Sequence, residues 1–501
     1  MTTLNCHQCQ FRKKYDRNPK SLLGRLWKWH IGFCPGWKSY MKSLAPEERT
    51  RIAGKYGLKK WMIMIVLCLS AFSTDAMAWS EHPLMTRPVL TRIPELNTAT
   101  AVQVTSLKRF LAENEKALEN KLNDLEEWLH QNLDYYPSLP DALRFSATGN
   151  QDDILDRFYR AIRLNPNVKM QLYLHLLPGD SREGRPLIDP GQLTTLSNIS
   201  SMKKTTYVKL TQGEQVSATA VVCTATDEPD YGLDLGLFED NGTAYGKQYG
   251  FGPQPFGDPD LEYGSQAPFH MGFYHEAKIV FLAGPFLKKT LPEYRINQFK
   301  FLAEFAFESG NPYWGYRFMG WGMHYLGDLS MPYHSVALPG VGTFSMIWTN
   351  IKAMAGFPKS KDNAVQLVSN RHAVIEHFAW LTLRDAYQSK KDNHPLLAAL
   401  KNPLETVPYH TRFPREVAAK KAAERADHVD RILETRMPDQ LVSDPKFKTP
   451  GSPELDRLMA TVLAEKGETA LNDMTLALAD LMQSYSMHLI SYYHSILPEP
   501  I

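Results

Sequence analysis

The stretch "WGMHYLGDLSMPYHS", residues 321–335, sets His324, Asp328 and His334 among Trp321, Met323, Tyr325 and Leu326. If Gly315 to Leu329 is helical, His324 and Asp328 lie one turn apart on one face and reach a common point. Pro332 ends that helix, so His334 sits on the turn beyond and can fold back. Buried polar groups need partners, and three ligand-type residues in one apolar segment suggest that they share one. Downstream, "NRHAVIEHFAW" repeats the arrangement, with His372 and Glu376 one turn apart between Val374, Ile375, Phe378 and Trp380. Imidazole nitrogens and carboxylate oxygens at this spacing suit zinc, which binds both at about 2.0–2.2 Å.

The surrounding pattern is helical. From Ser106 to about Leu133, Leu107, Leu111, Leu118, Leu122, Leu125 and Leu129 form one apolar stripe on a charged helix. Further helices are predicted over 151–163, 212–226, 293–310, 314–328, 361–388, 413–436 and 453–494. Between about Glu239 and Phe269, Gly and Pro recur and predict a long loop, of the kind that is often functional. The aromatic-rich stretch 245–274, which overlaps its end, is a candidate for meeting lipid. No run of alternating strands and no internal repeat is evident, so the fold class expected is all-α, with helices supplying inward-facing side chains.

With 501 residues, 43% hydrophobic and 22% charged, the chain has the composition of a globular protein. Its formal charge of +2 is unevenly spread: residues 1–60 carry fourteen Lys/Arg against Asp16, Glu47 and Glu48, a balance of +11, which leaves −9 for the rest. An acidic main body lacks the basic footprint of a nucleic-acid binder. Residues 59–79, "KKWMIMIVLCLSAFSTDAMAW", have two lysines, an apolar run of about 12 residues and Ala76-Met77-Ala78, the three-part form of a secretory signal cleaved after Ala78. The run is shorter than the roughly 20 residues a membrane span needs. The domain reading is therefore 1–57, a basic extension; 58–78, a signal; and 79–501, the main domain, with translation from Leu58 as one explanation of the extension. Cys6, Cys9, His30 and Cys34 in the extension could hold structural zinc. After cleavage only Cys223 remains, so no disulfide within the mature chain is expected.

The run His324-Tyr325-Leu326-Gly327-Asp328, then Pro332 and His334, then His372 and Glu376, resembles the bacterial zinc-dependent phospholipases C, which share an all-α, trinuclear-zinc fold with single-strand nucleases. That family matures to an amino-terminal tryptophan that binds zinc, and cleavage after Ala78 would expose Trp79 in "WSEHPLMT". The resemblance implies three zinc ions. One would be held by Asp227, His270, His324 and Asp328, a second by His334, His372 and Glu376, and a third by Trp79 and His82 with Asp328 as bridge. Asp230 is the alternative to Asp227, and His275 the alternative to His270. Asp227 would also act as general base. Implied with them are a secreted, monomeric phospholipase C, a phospholipid membrane as partner, no nucleic acid, and hydrolysis of phosphatidylcholine to diacylglycerol and a phosphorylated head group.

Some features depart from the compact family pattern. His82 stands only three residues after Trp79, and long intervals separate His82 from Asp227 and His334 from His372. Insertions are accordingly expected at about 100–215 and 335–370, with a helical C-terminal region in place of a β-sandwich. The nuclease branch is the nearest rival, disfavoured by the acidic body and by Glu376 where those enzymes use aspartate. A non-catalytic exported protein stapled by zinc is the rival of a different class.

Overall fold

The computed structural model describes residues 10–19, scattered positions from 21 to 56, then 81–97, 101–259, 261–342, scattered positions to 348, and 359–497. The expected signal 58–78, Trp79 and the Cys6, Cys9, His30 and Cys34 set lie outside the described residues. The chain divides into two compact units, Met1–Leu69 and Ser70–Ile501. In the first, Trp27, Trp37 and Tyr56 pack ring to ring beside the helix Gln10–Arg17. The Tyr56 hydroxyl donates to Asp16 at 2.9 Å and accepts from Arg12 Nε at 2.8 Å.

The second unit is predominantly helical, as the patterning predicts. The leucine stripe becomes the helix Leu107–Asn132, opened by Ser106, whose hydroxyl accepts the Arg109 N–H. Four short strands, unforeseen in the sequence, form two antiparallel pairs: β1 (Ala101–Gln103) with β4 (Gln215–Ser217), and β2 (Tyr173–Leu176) with β3 (Thr206–Lys209). The first pair sets Ala101 opposite Ser217, so the segment expected as an insertion begins and ends side by side. Beyond it, the predicted helix 212–226 is confined to Ala218–Ala225, because residues 215–217 are committed to β4.

The centre of this unit is the helix Pro312–Asp328, in which every residue from Tyr313 to Asp328 is buried. Asn311 caps it by accepting the Trp314 N–H, and Pro312 occupies the first turn where no N–H is needed. Its glycines sit where neighbours press closest: a Cβ on Gly320 would lie 2.5 Å from Ala225 Cβ, and one on Gly322 would strike the Tyr492 hydroxyl. Each glycine costs about 1 kcal/mol in helix propensity and lets the Ala218–Ala225 and Glu468–Ile496 helices approach. Among the described residues no helix is long and apolar enough to cross a membrane.

The predicted loop 239–269 contains one unexpected element, the helix Glu262–His270. Gly264 and Pro268 read as breakers, but the fold compensates for both. Pro268 has no N–H for the Gly264 carbonyl, and the Gln254 side chain donates to that carbonyl instead, at 2.9 Å. The helix delivers His270 to the interior.

Candidate metal centre

Four elements meet at the inner end of Pro312–Asp328. His324 and Asp328 come from that helix, His270 from the end of Glu262–His270, Asp230 from the one-turn helix Glu228–Tyr231, and His82 from the start of His82–Leu90. Their donor atoms face one another: His324 Nε2 lies 3.2 Å from His270 Nδ1, 3.4 Å from Asp328 Oδ2 and 3.6 Å from Asp230 Oδ1. His270 Nδ1 lies 2.8 Å from Asp328 Oδ2 and 3.9 Å from Asp230 Oδ1. A tetrahedral ion with bonds of about 2.0–2.1 Å sets its ligands roughly 3.3 Å apart; the His270, His324 and Asp328 atoms bracket that separation, and Asp230 groups with His324 and His82. The other Asp328 oxygen, Oδ1, is 3.4 Å from His82 Nε2, the place of a bridging carboxylate.

A second group lies alongside. His334, on the one-turn helix Pro332–Ser335, brings Nε2 to 3.1 Å from His372 Nε2 and 3.6 Å from Glu376 Oε1. His372 and Glu376 share the helix Lys359–Gln388 and are 2.8 Å apart. Asp328 Oδ1 is 4.0 Å from His334 Nδ1, so the groups adjoin.

Several of these side chains have a further contact that aims them. His324 Nδ1 meets the Thr226 carbonyl at 2.7 Å, and His334 Nδ1 meets the His270 carbonyl at 3.0 Å. His270 Nε2 faces Asp234 at 3.8 Å, itself held by Arg295 and by the Tyr325 hydroxyl at 2.6 Å. The Tyr333 ring stacks on His372 while its hydroxyl donates to Asp430, which also pairs with Arg371. Such outer contacts set the tautomer and direction of a metal-binding imidazole. Glu228, next to Asp230, is clamped by Arg317 at 2.7 and 2.9 Å and by the Trp321 indole.

The electrostatics call for a cation. Among the described residues neither Asp230, Asp328 nor Glu376 has a Lys or Arg partner, although all are buried. Burial holds His324 well below its ordinary value and His372 down to about 3, so these imidazoles are neutral ligands. Burial and the neighbouring carboxylates, Asp328 first, push Asp230 well above the usual range, and burial raises Glu376 to about 7. His82 Nε2, Asp328 Oδ1 and Glu376 Oε1 have no hydrogen-bond partner. Buried carboxylates without a Lys or Arg partner and orphaned atoms at ligand spacing form sites that could hold metal ions.

No family model, curated protein or solved structure matches the chain.

The structure thus brings together His82, His270, His324, Asp328, His334, His372 and Glu376. Of the two alternatives, it sets Asp230 rather than Asp227 among the grouped side chains. The turn of Glu228–Tyr231 carries Asp230 inward, whereas Asp227 accepts the His82 N–H at 3.0 Å and the Tyr231 hydroxyl at 2.8 Å. Asp227 therefore positions His82. His275 stays outside, exposed and 2.8 Å from the Arg415 carbonyl.

Asp227 and Asp230 also line a cavity of about 90 Å³ that sequence reasoning missed. Its walls include Glu81 before the His82–Leu90 helix, Tyr207 from the insertion, Tyr231 from the Glu228–Tyr231 turn, and His377 and Trp380 from the Lys359–Gln388 helix. Glu81 holds a left-handed backbone conformation at φ 61° and accepts hydrogen bonds from Thr205 and from the Trp380 indole, the latter at 2.8 Å. No local pattern singles out Glu81, because its partners Thr205 and Trp380 are distant in sequence. The aromatic loop expected at lipid is largely interior, with Tyr249, Phe251, Phe256, Phe269 and Phe273 all buried.

Proposed function

We propose that this chain is an exported zinc-dependent phospholipase C. It would cleave the glycerol-side phosphodiester bond of glycerophospholipids, phosphatidylcholine by default, to diacylglycerol and a phosphorylated head group. The observation that carries this reading is the convergence of His82, Asp230, His270, His324 and Asp328 on one buried point, with His334, His372 and Glu376 beside it. The donor set is nitrogen and carboxylate oxygen without thiolate, which suits zinc in a hydrolytic site.

Asp230, His270, His324 and Asp328 would hold the first ion, and His334, His372 and Glu376 the second. A third would take His82 and Asp328, with the Trp79 amino terminus expected from the sequence. Bound zinc supplies a water acidified toward a pKa of about 7 and positive charge against the phosphate oxygens. Asp230 faces both the donor atoms and the cavity. It takes the general-base role expected of Asp227, because the Asp227 oxygens are engaged by His82 and Tyr231. His324 keeps Nε2 free for a ligand because its Nδ1 is committed to the Thr226 carbonyl.

The test is hydrolysis of phosphatidylcholine vesicles by the zinc-loaded chain, with diacylglycerol and phosphocholine measured as products. Both should form with the wild type and neither with His324→Ala. Cleavage of single-stranded DNA without action on lipid would replace this reading with the nuclease one.

A further inference from the structure

The segment between the two donor groups carries a feature that the metal centre does not use. After His270 the chain runs through Met271, Gly272 and Phe273 to a short helix, Lys278–Ala283, turns at Gly284 and returns as Pro285–Lys288. Its inner side is anchored: Val280 and Leu287 pack with Met271, Phe273 and Ala337, and Glu276 accepts the Ala337 N–H at 2.8 Å. The Gly272 N–H donates to the His334 carbonyl at 2.7 Å, which ties the root of the hairpin to two donor-bearing residues.

The outer side is apolar and basic. Leu282 is 82% exposed, the most exposed large apolar side chain among the described residues, and Ile279, one turn before it, is 49% exposed. Lys278, Lys288 and Lys289 flank them, and residues 277–292 contain no Asp or Glu. Ile279 and Leu282 form an exposed apolar patch one helical turn long, and such a patch with a polar rim marks a contact surface. Aliphatic tips with a lysine collar match an anionic membrane interface, where buried apolar area and attraction to lipid phosphates add together.

We infer that the hairpin 277–289 docks this protein on anionic lipid surfaces, with Ile279 and Leu282 entering the acyl boundary and Lys278, Lys288 and Lys289 contacting head-group phosphates. The inference supplies a membrane contact for the activity proposed above, but its physical basis is separate, because none of these side chains belongs to the donor set. The hairpin descends from His270 and is pinned to His334, so docking would bring the metal centre to the lipid surface.

The experiment is co-sedimentation of the full zinc-loaded chain with vesicles of phosphatidylglycerol and phosphatidylcholine, and with phosphatidylcholine alone. Binding to the mixed vesicles should exceed binding to phosphatidylcholine and weaken as salt is raised. Ile279→Asp/Leu282→Asp should reduce the partition coefficient at least about tenfold, since each buried aliphatic side chain is worth several-fold or more. Lys288→Glu/Lys289→Glu should remove the preference for the anionic vesicles. The zinc content of all variants should be unchanged, which separates docking from folding. Undiminished vesicle binding by the aspartate variant would overturn the inference. So would a dimer in gel filtration that this variant dissociates, with no vesicle binding by the wild type, because a second copy would then cover the hairpin. If the variants lose vesicle binding while the wild type hydrolyses no lipid, docking stands and the phospholipase reading falls.

Discussion

His270 Nδ1 and Asp328 Oδ2 stand 2.8 Å apart, although 58 residues separate them in the chain. The contact joins the only carboxylate on Pro312–Asp328 to a helix that the sequence disguises as loop. The other Asp328 oxygen faces His82, so this side chain can serve two ions at once. Asp328→Asn should therefore lower the metal content by more than one ion per chain and abolish hydrolysis, whereas His372→Ala should remove about one. Inductively coupled plasma mass spectrometry on the purified variants checks both. Equal losses would show that Asp328 does not bridge.

Asp227 and Asp230 separate cleanly by substitution. Asp230→Asn should release metal and abolish activity, because its oxygen stands 3.6 Å from His324 Nε2 among the donors. Asp227→Asn keeps an acceptor for the His82 N–H. It should retain the metal of His270, His324 and Asp328 while loosening His82, with an affinity loss at the third site of about 10–100-fold. Metal titration of the two variants decides the assignment, and the reverse pattern would restore Asp227 as ligand.

Acidity should govern the second site. A metal ion held by Glu376 needs it ionised, and burial raises this carboxyl to about 7 in the metal-free protein. His372, held down to about 3, is already neutral and contributes no proton between those values. Affinity should fall about tenfold per pH unit as pH drops below about 7, and level off above it. Metal-free stability carries the signs separately. The raised Glu376 value costs stability as pH rises from the ordinary carboxylate range toward 7, and the depressed His372 value costs stability as pH falls below the ordinary imidazole range toward 3. Competition with a chromophoric chelator from about pH 5 to 8 reads the slope; a flat curve would mean that Glu376 is not a ligand.

Two packing predictions concern the scaffold. Glu228→Ala leaves Arg317 buried without its carboxylate and should cost about 3–5 kcal/mol. It should also free the turn that presents Asp230, so metal loss accompanies the lower Tm. Gly320→Ala gains helix propensity but drives its methyl against Ala225 Cβ at 2.5 Å and the Val222 carbonyl at 2.8 Å. Overpacking against backbone typically costs about 1–3 kcal/mol, which outweighs the propensity gain of about 1 kcal/mol. Thermal unfolding of the metal-free variants measures both.

What the sequence disclosed and what it hid follow from the range of the interactions. His324 with Asp328, and His372 with Glu376, are one helical turn apart, so periodicity alone places each pair on one face. The choice between Asp227 and Asp230 depends on the turn of Glu228–Tyr231. That turn is set by Arg317 and Trp321, roughly ninety residues away, at |i−j| of 89 and 93, and no local pattern encodes it. The helix Glu262–His270 was hidden because the carbonyl left open by Pro268 is satisfied by a side chain outside the helix, Gln254. The strand pair that closes the 101–217 segment escaped notice because each strand is three residues long, too short to show an alternation. The cavity was illegible because its walls come from segments that share no motif.

The support behind His270 gives the last prediction. Tyr325 donates to Asp234 Oδ2 at 2.6 Å, and that oxygen faces His270 Nε2. Tyr325→Phe keeps the buried ring and removes only the hydroxyl. Asp234 retains its Arg295 pair, so the fold should persist. The freed oxygen would turn toward Arg295 and away from His270 Nε2, which it faces at 3.8 Å, so the charge that orients the imidazole would weaken. Metal affinity at the proposed first site should drop about 10–100-fold, the range for outer contacts of metal-binding histidines, with a small change in Tm. Asp234→Asn should give the same affinity loss with a larger fall in stability, because it also strips the carboxylate partner from fully buried Arg295. Unchanged affinity in Tyr325→Phe would show that His270 is held by packing alone.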